Sequence, residues 1–354
     1  MGGARVLVTG AFGNVGANTI GQLLKLGHEV HAFDVRTPGN EKRQARLVGR
    51  FQTHWGDLRD AESVQKVVGD VRPQVVLHIA AVIAPLAFVH PELAEAVNVG
   101  GTRLLIEACQ RLQEPPRIVL TSSYTVHGPR NPYRDLPPIV GDTPVAPADP
   151  YAKHKVRCEQ MLASSGLQWT VLRLPAVMPT DPEWGRDPVF LKFFFLLSPD
   201  RKEHLLDSRD AGLALANAVE ADGIDGLCLA LGGPEEDCRV RGIDYHRRGM
   251  AAIGLRGMSE KAFRLSHPEH DDSWYGEDWV DTTRSQALLK YQQNTLADHL
   301  DFQRRQAGGT YYAMRLFAPL IRMYMHRQSP FLGGTNAPDA EPMWDVTART
   351  FSSN

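Results

Sequence analysis

The feature that most restricts this chain is the run Thr9-Gly10-Ala11-Phe12-Gly13-Asn14-Val15-Gly16, set between an apolar strand and an amphipathic helix. Arg5-Val6-Leu7-Val8 has the apolar character of a buried parallel strand. From Asn14 to Leu26, Val15, Ile20, Leu23 and Leu24 recur at helical spacing, and Gly27 supplies a left-handed cap. Three glycines at such a junction meet three needs. Gly10 permits the tight turn, Gly13 lets backbone approach a pyrophosphate, and Gly16 lets helix pack on strand. The helix N-terminus then offers free N–H groups and a positive dipole to the anion. Phe12, Asn14 and Val15 share the loop and count with the glycines as dinucleotide-binding candidates.

Strand-like and helix-like segments keep alternating, with further strands at Glu29–Phe33, Val75–Ile79, Arg117–Leu120 and Trp169–Leu172. The pattern implies an α/β fold with a doubly wound parallel sheet and a smaller C-terminal substrate-binding region. Beyond Arg173, Pro175, Pro179, Pro182 and Pro188 break the pattern, and Phe193–Leu197 forms a dense apolar run. A helix over about 208–220 and a strand at Leu227–Ala230 are expected to rejoin the sheet. The division is then 1–172 for the dinucleotide-binding unit, with 206–230 rejoining it, and 173–205 plus 231–307 for the substrate region. An amphipathic segment follows over 308–332, and 333–354 is a polar tail expected to be poorly ordered.

Asp34 stands 24 positions beyond Gly10 at the end of the second strand, where a carboxylate accepts hydrogen bonds from the adenine ribose and repels a 2′-phosphate. That favours NAD. Arg36, two residues on, would instead greet the phosphate of NADP. The formal net charge of −2 offers no basic field, so no nucleic-acid partner is expected. Cys109, Cys158, Cys228 and Cys238 are scattered, which fits reduced thiols better than a disulfide framework or a zinc site. His267-Pro268-Glu269-His270-Asp271-Asp272 carries metal-capable side chains but reads as a solvated loop, and no metal is expected. No apolar run reaches membrane-spanning length and the first strand begins almost at once, so a cytoplasmic location is expected.

Tyr151 and Lys155 lie four apart in a helix that starts beside Pro150 and therefore share one face, which Lys153 does not. A lysine cation beside a phenol lowers the phenol's pKa, so the pair suits proton transfer while hydride moves at the neighbouring carbon.

With these residues placed, the chain resembles the extended short-chain dehydrogenase/reductases, the NAD-dependent epimerase/dehydratase superfamily with its Rossmann-type sheet. The resemblance covers roughly residues 4–300. It rests on TGAFGNVG, Gly56-Asp57-Leu58, His78-Ile79-Ala80-Ala81, Asn98-Val99-Gly100-Gly101-Thr102, Thr121-Ser122-Ser123-Tyr124-Thr125 and the Tyr151/Lys155 helix. It implies that Asp57 and Leu58 flank the adenine, that Ala80 lines the cofactor cleft, and that Lys155 also holds the nicotinamide ribose. Pro175 and Tyr151 join the cofactor-binding set. It makes Tyr151 the acid/base, Lys155 its activator, and Ser123 the hydroxyl on the reacting oxygen with Thr125 beside it. Ser122 is the competing reading for Ser123, and Asn98 is expected to anchor its helix. Members of the family often form dimers, so a homodimer is an open expectation.

Departures from the family narrow the chemistry. Dehydratases carry Asp-Glu where this chain has Tyr124-Thr125, and 4-epimerases place an asparagine in the loop that here reads Leu172-Arg173-Leu174-Pro175-Ala176-Val177-Met178-Pro179. The expected activity is interconversion of a secondary alcohol and a ketone with NAD or NADP. The loop over 172–179 resembles the Arg-Pro-rich loops of family members that handle steroids, lipids or phenylpropanoids, which implies a bulky sterol- or lipid-like substrate. Phe193–Leu197 would then be an apolar pocket wall, with ordinary core or a dimer contact as its other reading. A nucleotide-sugar 4-epimerase that retains NAD is the alternative, and a scaffold that binds the dinucleotide without turnover is the rival of another class. Thr310–Arg327 is apolar, aromatic and basic, the composition of a helix at a membrane interface, kinked by Pro319; packing on its own domain or a sister subunit is the other reading.

Overall fold

A computed structural model describes residues 3–183, 187–332 and 337–352. The short apolar runs become parallel strands because helices cover both of their faces. They are β1 (Arg5–Thr9), β2 (Glu29–Asp34), β3 (Gln52–Trp55), β4 (Val75–His78), β5 (Arg117–Ser123), β6 (Trp169–Leu174) and β7 (Leu227–Ala230). Their order is β7-β6-β5-β4-β1-β2-β3, and every neighbouring pair is parallel.

Alternation along β1 shows how the layers form. Val6 and Val8 enter one core with Ile20 and Leu23 of α1 (Asn14–Lys25). Leu7 enters the opposite core with Val64 and Val68 of α2 (Ala61–Val71) and Leu105 of α3 (Thr102–Gln110). Full burial of a side chain such as Leu23 contributes roughly 1.5–3 kcal/mol. Cys158 and Leu162 of α4 (Pro150–Ala163) complete the second face. The first face is completed by Ala211 and Leu215 of a later helix.

The segment 188–197 divides between two duties. In α5 (Pro188–Leu196), Phe195 and Leu196 are buried in core, whereas Phe193 is half-buried and faces the central cleft. The chain then returns to the sheet through α6 (Ser208–Asn217) and β7, whose Leu229 pairs with Leu172 of β6.

The C-terminus departs from expectation. α7 (Thr310–Gln328) is one continuous helix that includes Pro319, and among its side chains only Ala318 is fully buried. The tail from Gly333 is helical over Met343–Ser352 (α8) instead of poorly ordered; 333–336 and 353–354 lie outside the described residues. Its polar average hides an apolar stripe: Met343, Val346 and Phe351 are buried beside Phe88, and Trp344 meets the Phe88 ring at 5.3 Å. A buried Arg264 secures the approach, binding Asp339 at 2.8 Å and the Glu341 carbonyl at 2.5 Å. No described helix is long and apolar enough to cross a membrane.

Candidate active site

Between β1 and β4 the strand order reverses, so the loops at their carboxyl ends part and leave a crevice. It opens into one cleft of about 820 Å³. The glycine run forms its floor. Gly10 has φ +66°, and a Cβ there would stand 2.6 Å from the Ala80 Cα. A Cβ on Gly16 would meet the Gly10 carbonyl oxygen at 2.2 Å. Asn14 lines the cleft with its side-chain oxygen buried and without a partner among the described residues. Bare backbone, a helix N-terminus and this orphaned acceptor suit a dinucleotide.

Asp34 sits at the far end. Its carboxylate accepts from the Phe12 amide at 2.9 Å, the Val35 amide at 2.8 Å and the Asn40 side chain at 3.2 Å. Burial raises its pKa, and the Phe12 and Val35 amides partly offset that rise. Gly10, Gly13, Asn14, Val15, Asp34, Asp57, Leu58, Ala80 and Pro175 all line the cleft. Three of the expected contacts do not. The Phe12 ring is fully buried against Trp55 at 5.2 Å, so that residue ties the loop to Asp34 through its amide. Gly16 serves helix–strand packing beneath the floor. Arg36 is exposed and paired with Glu41 at 2.8 Å, turned from the crevice. The cation that does line it is Arg43, bound to Asp181 at 2.9 Å.

Ser123, Thr125, Tyr151 and Lys155 all line the cleft. The Asp149 side chain caps α4 by accepting from the Ala152 amide at 2.9 Å, which sets Tyr151 in the first turn. Thr125 donates its hydroxyl to Ser123 Oγ at 3.0 Å. Ser122 takes the other direction, donating to Glu159 at 2.5 Å, so Ser123 is the serine beside the tyrosine. Lys153 is exposed. Asn98 clasps Val82, accepting from its amide at 2.8 Å and donating to its carbonyl at 2.9 Å, so it pins the loop after β4.

Burial governs the electrostatics of the Tyr151/Lys155 pair. Burial, then the Asp149 charge, holds the Tyr151 phenol above its ordinary value, while a hydrogen bond with Ser123 lowers it. Lys155 is buried, and burial depresses its own pKa. Its ammonium donates to the Thr121 carbonyl at 2.8 Å and lies 5.9 Å from the Tyr151 ring centroid.

Phe193, read from sequence as a candidate pocket wall, lines the cleft; sequence reasoning missed Glu203, His204, Tyr275, Glu277 and Asp278, which line it too. Phe193 and Tyr275 meet edge to face at 5.4 Å. Only Phe193 carried a local signal; the others come from short strands and loops without a motif.

The sequence profile described as the NAD dependent epimerase/dehydratase family matches residues 6–182. The D-erythronate dehydrogenase of Cupriavidus necator is 29% identical over 247 residues, 62% of this chain and 72% of that protein. The UDP-glucose 4-epimerase of Mycolicibacterium smegmatis is 36% identical over 162 residues, 45% of this chain and 50% of that protein. The chain thus spans about half the length of that epimerase. Among solved structures, a UDP-glucose-4-epimerase of Stenotrophomonas maltophila with bound NAD aligns with a TM-score of 0.69 at 19% identity, over 88% of this chain and 99% of that one. A short-chain dehydrogenase/reductase superfamily protein of Agrobacterium tumefaciens with bound NAD aligns with a TM-score of 0.65 at 20% identity, over 90% and 99%.

Proposed function

The chain belongs to the NAD-dependent epimerase/dehydratase family, and we propose that within it this protein is an oxidoreductase that interconverts a secondary alcohol and a ketone. It is an NAD-dependent enzyme of the extended short-chain dehydrogenase/reductase type. The observation that carries the reading is the convergence of Ser123, Tyr151 and Lys155 on the cleft that also holds Gly10, Gly13 and Asp34.

In this reading Gly10, Gly13, Asn14 and Val15 hold the pyrophosphate, Asp34 the adenine ribose, and Asp57 and Leu58 the adenine. NAD supplies the hydride acceptor. Ser123 fixes the substrate oxygen, and Tyr151 exchanges a proton with that oxygen. Lys155, fixed by the Thr121 carbonyl, orients the nicotinamide ribose and sets the charge around the phenol. Arg36 is engaged by Glu41, which supports NAD over NADP.

The carboxylates Glu203, Glu277 and Asp278 argue for a polar substrate and against the sterol- or lipid-like one that the resemblance of the loop over 172–179 implies. The likeness to a dehydrogenase supports net oxidation or reduction, and the likeness to 4-epimerases supports the retained-NAD epimerase as the second reading. The assay is NADH formation from excess NAD with secondary alcohols, and Tyr151→Phe should lower it by ~10²–10⁴ while NAD still binds. UDP-sugar interconversion with no net NADH would overturn the reading in favour of the epimerase. Full activity of Tyr151→Phe would leave a binding scaffold.

An anionic membrane surface is proposed as the contact of α7. Tyr312, Leu316, Phe317, Leu320 and Tyr324 are exposed, and the helix carries Arg315, Arg322 and Arg327 with no acidic residue. Apolar anchors with an unopposed positive charge suit a lipid interface, with a sister subunit as the competing occupant.

A further inference from the structure

The cleft that holds Tyr151 also presents carboxylates whose counter-cations do not line it. Glu203, Glu277 and Asp278 line the cleft, whereas the cations that pair with them do not. Arg201 pairs with both Glu203 and Glu277, the latter at 2.9 Å, while Arg130 and Lys202 hold Asp278 at 2.8 and 3.5 Å. The charges balance in number, so orientation decides what a ligand meets. It meets oxygen acceptors.

Glu203 carries the argument furthest. Its side chain is 4% exposed, Oε1 is engaged by Arg201, and Oε2 is buried with no partner among the described residues. A buried acceptor left without a donor is costly, and a ligand hydroxyl would satisfy it. His204 beside it is already used, with Nε2 2.9 Å from the Gly233 carbonyl and Nδ1 accepting from the Val280 amide at 3.2 Å. Burial holds that imidazole neutral, its pKa pushed down to about 4. The described cations that do line the cleft are Lys155, Arg43 and Arg59. A substrate diphosphate beside these carboxylates would face like charge without a partner. An apolar alcohol would leave Oε2 unsatisfied.

We propose that Glu203, backed by Arg201 and flanked by Glu277, is the specificity-determining acceptor for an uncharged, hydroxyl-rich substrate, a free sugar or polyol. This rests on the alcohol–ketone reading above and names its substrate class. One hydroxyl reacts at Tyr151 and a second donates to Glu203 Oε2.

The test is equilibrium binding to the NAD-saturated protein, followed by saturation-transfer NMR with ribitol, D-galactose, UDP-glucose and cyclohexanol. Ribitol or D-galactose should bind at least roughly tenfold more tightly than the other two. Glu203→Gln should weaken that binding about tenfold while NAD affinity stays within roughly twofold of wild type. Tighter binding of UDP-glucose or cyclohexanol, no binding of either polyhydroxy probe, or unchanged affinity in a folded Glu203→Gln protein overturns the proposal. Should the variant fail to fold, the wild-type ranking decides. Binding as expected with no NADH in the same sample would strike the alcohol–ketone reading and leave the acceptor role standing.

Discussion

Lys155 donates to the carbonyl of Thr121 at 2.8 Å while its ammonium stands 5.9 Å from the ring centroid of Tyr151. The bond joins α4 to β5 two residues before Ser123, so the cation and the hydroxyl are positioned by one strand end. Loss of the ammonium leaves a buried carbonyl without its donor and the phenol without a neighbouring positive charge.

Lys155→Met should therefore weaken NAD binding and lower turnover by about 10²–10⁴. Lys155→Arg should not restore either, because a planar guanidinium does not fit a slot shaped for one buried ammonium. Cofactor titration and NADH formation measure both, and near wild-type values for the arginine variant would refute this arrangement.

Asp149 offers a pH handle. Its negative charge helps hold the Tyr151 phenol protonated, and burial pushes its own pKa to about 6. Asp149→Asn keeps an acceptor for the Ala152 amide and removes the charge. Removing a nearby anion stabilises the phenolate, so the limb on which alcohol oxidation rises with pH should move to lower pH, by on the order of half a unit. The wild type loses the repulsion as pH falls through about 6, so the two profiles should converge below that point. An unmoved limb, or one displaced upward, contradicts the assignment.

Cofactor choice should reside in Asp34. Asp34→Asn retains size but loses the negative charge opposed to a 2′-phosphate, so kcat/KM with NADP relative to NAD should rise roughly tenfold. Arg36→Ala should leave that ratio unchanged, since its guanidinium is exposed and bound to Glu41. A large change from Arg36→Ala would show that the side chain swings into the crevice.

Helix α7 should bring the protein to phosphatidylserine vesicles in a flotation assay and leave it behind with phosphatidylcholine alone, the binding falling as salt rises. Leu320→Glu and Arg322→Glu should each abolish flotation, the first by removing an exposed apolar anchor and the second by reversing charge. A dimer in light scattering that Leu320→Glu dissociates, without vesicle binding, would assign the face to a sister subunit.

The layout of the first half of the chain is legible in the sequence because it is written in near neighbours. The period-two strand Val6-Leu7-Val8, the glycine spacing from Gly10 to Gly16 and the four-residue step from Tyr151 to Lys155 each act within a turn or a strand. The local pattern could not say that Phe12 turns inward or that Ser122, not Ser123, is taken by Glu159. Nor did it reveal Glu203: Arg201 meets Glu277 across 76 residues, and that long-range pairing leaves one carboxylate oxygen bare. The sequence by itself determined the parallel sheet, the glycine turn after β1 and the shared helix face of Tyr151 and Lys155, since short-range sterics and spacing dictate them. Only the tertiary structure decided the carboxylate lining of the cleft and the ordered α8, because ion pairing and burial between distant segments choose which way a side chain faces.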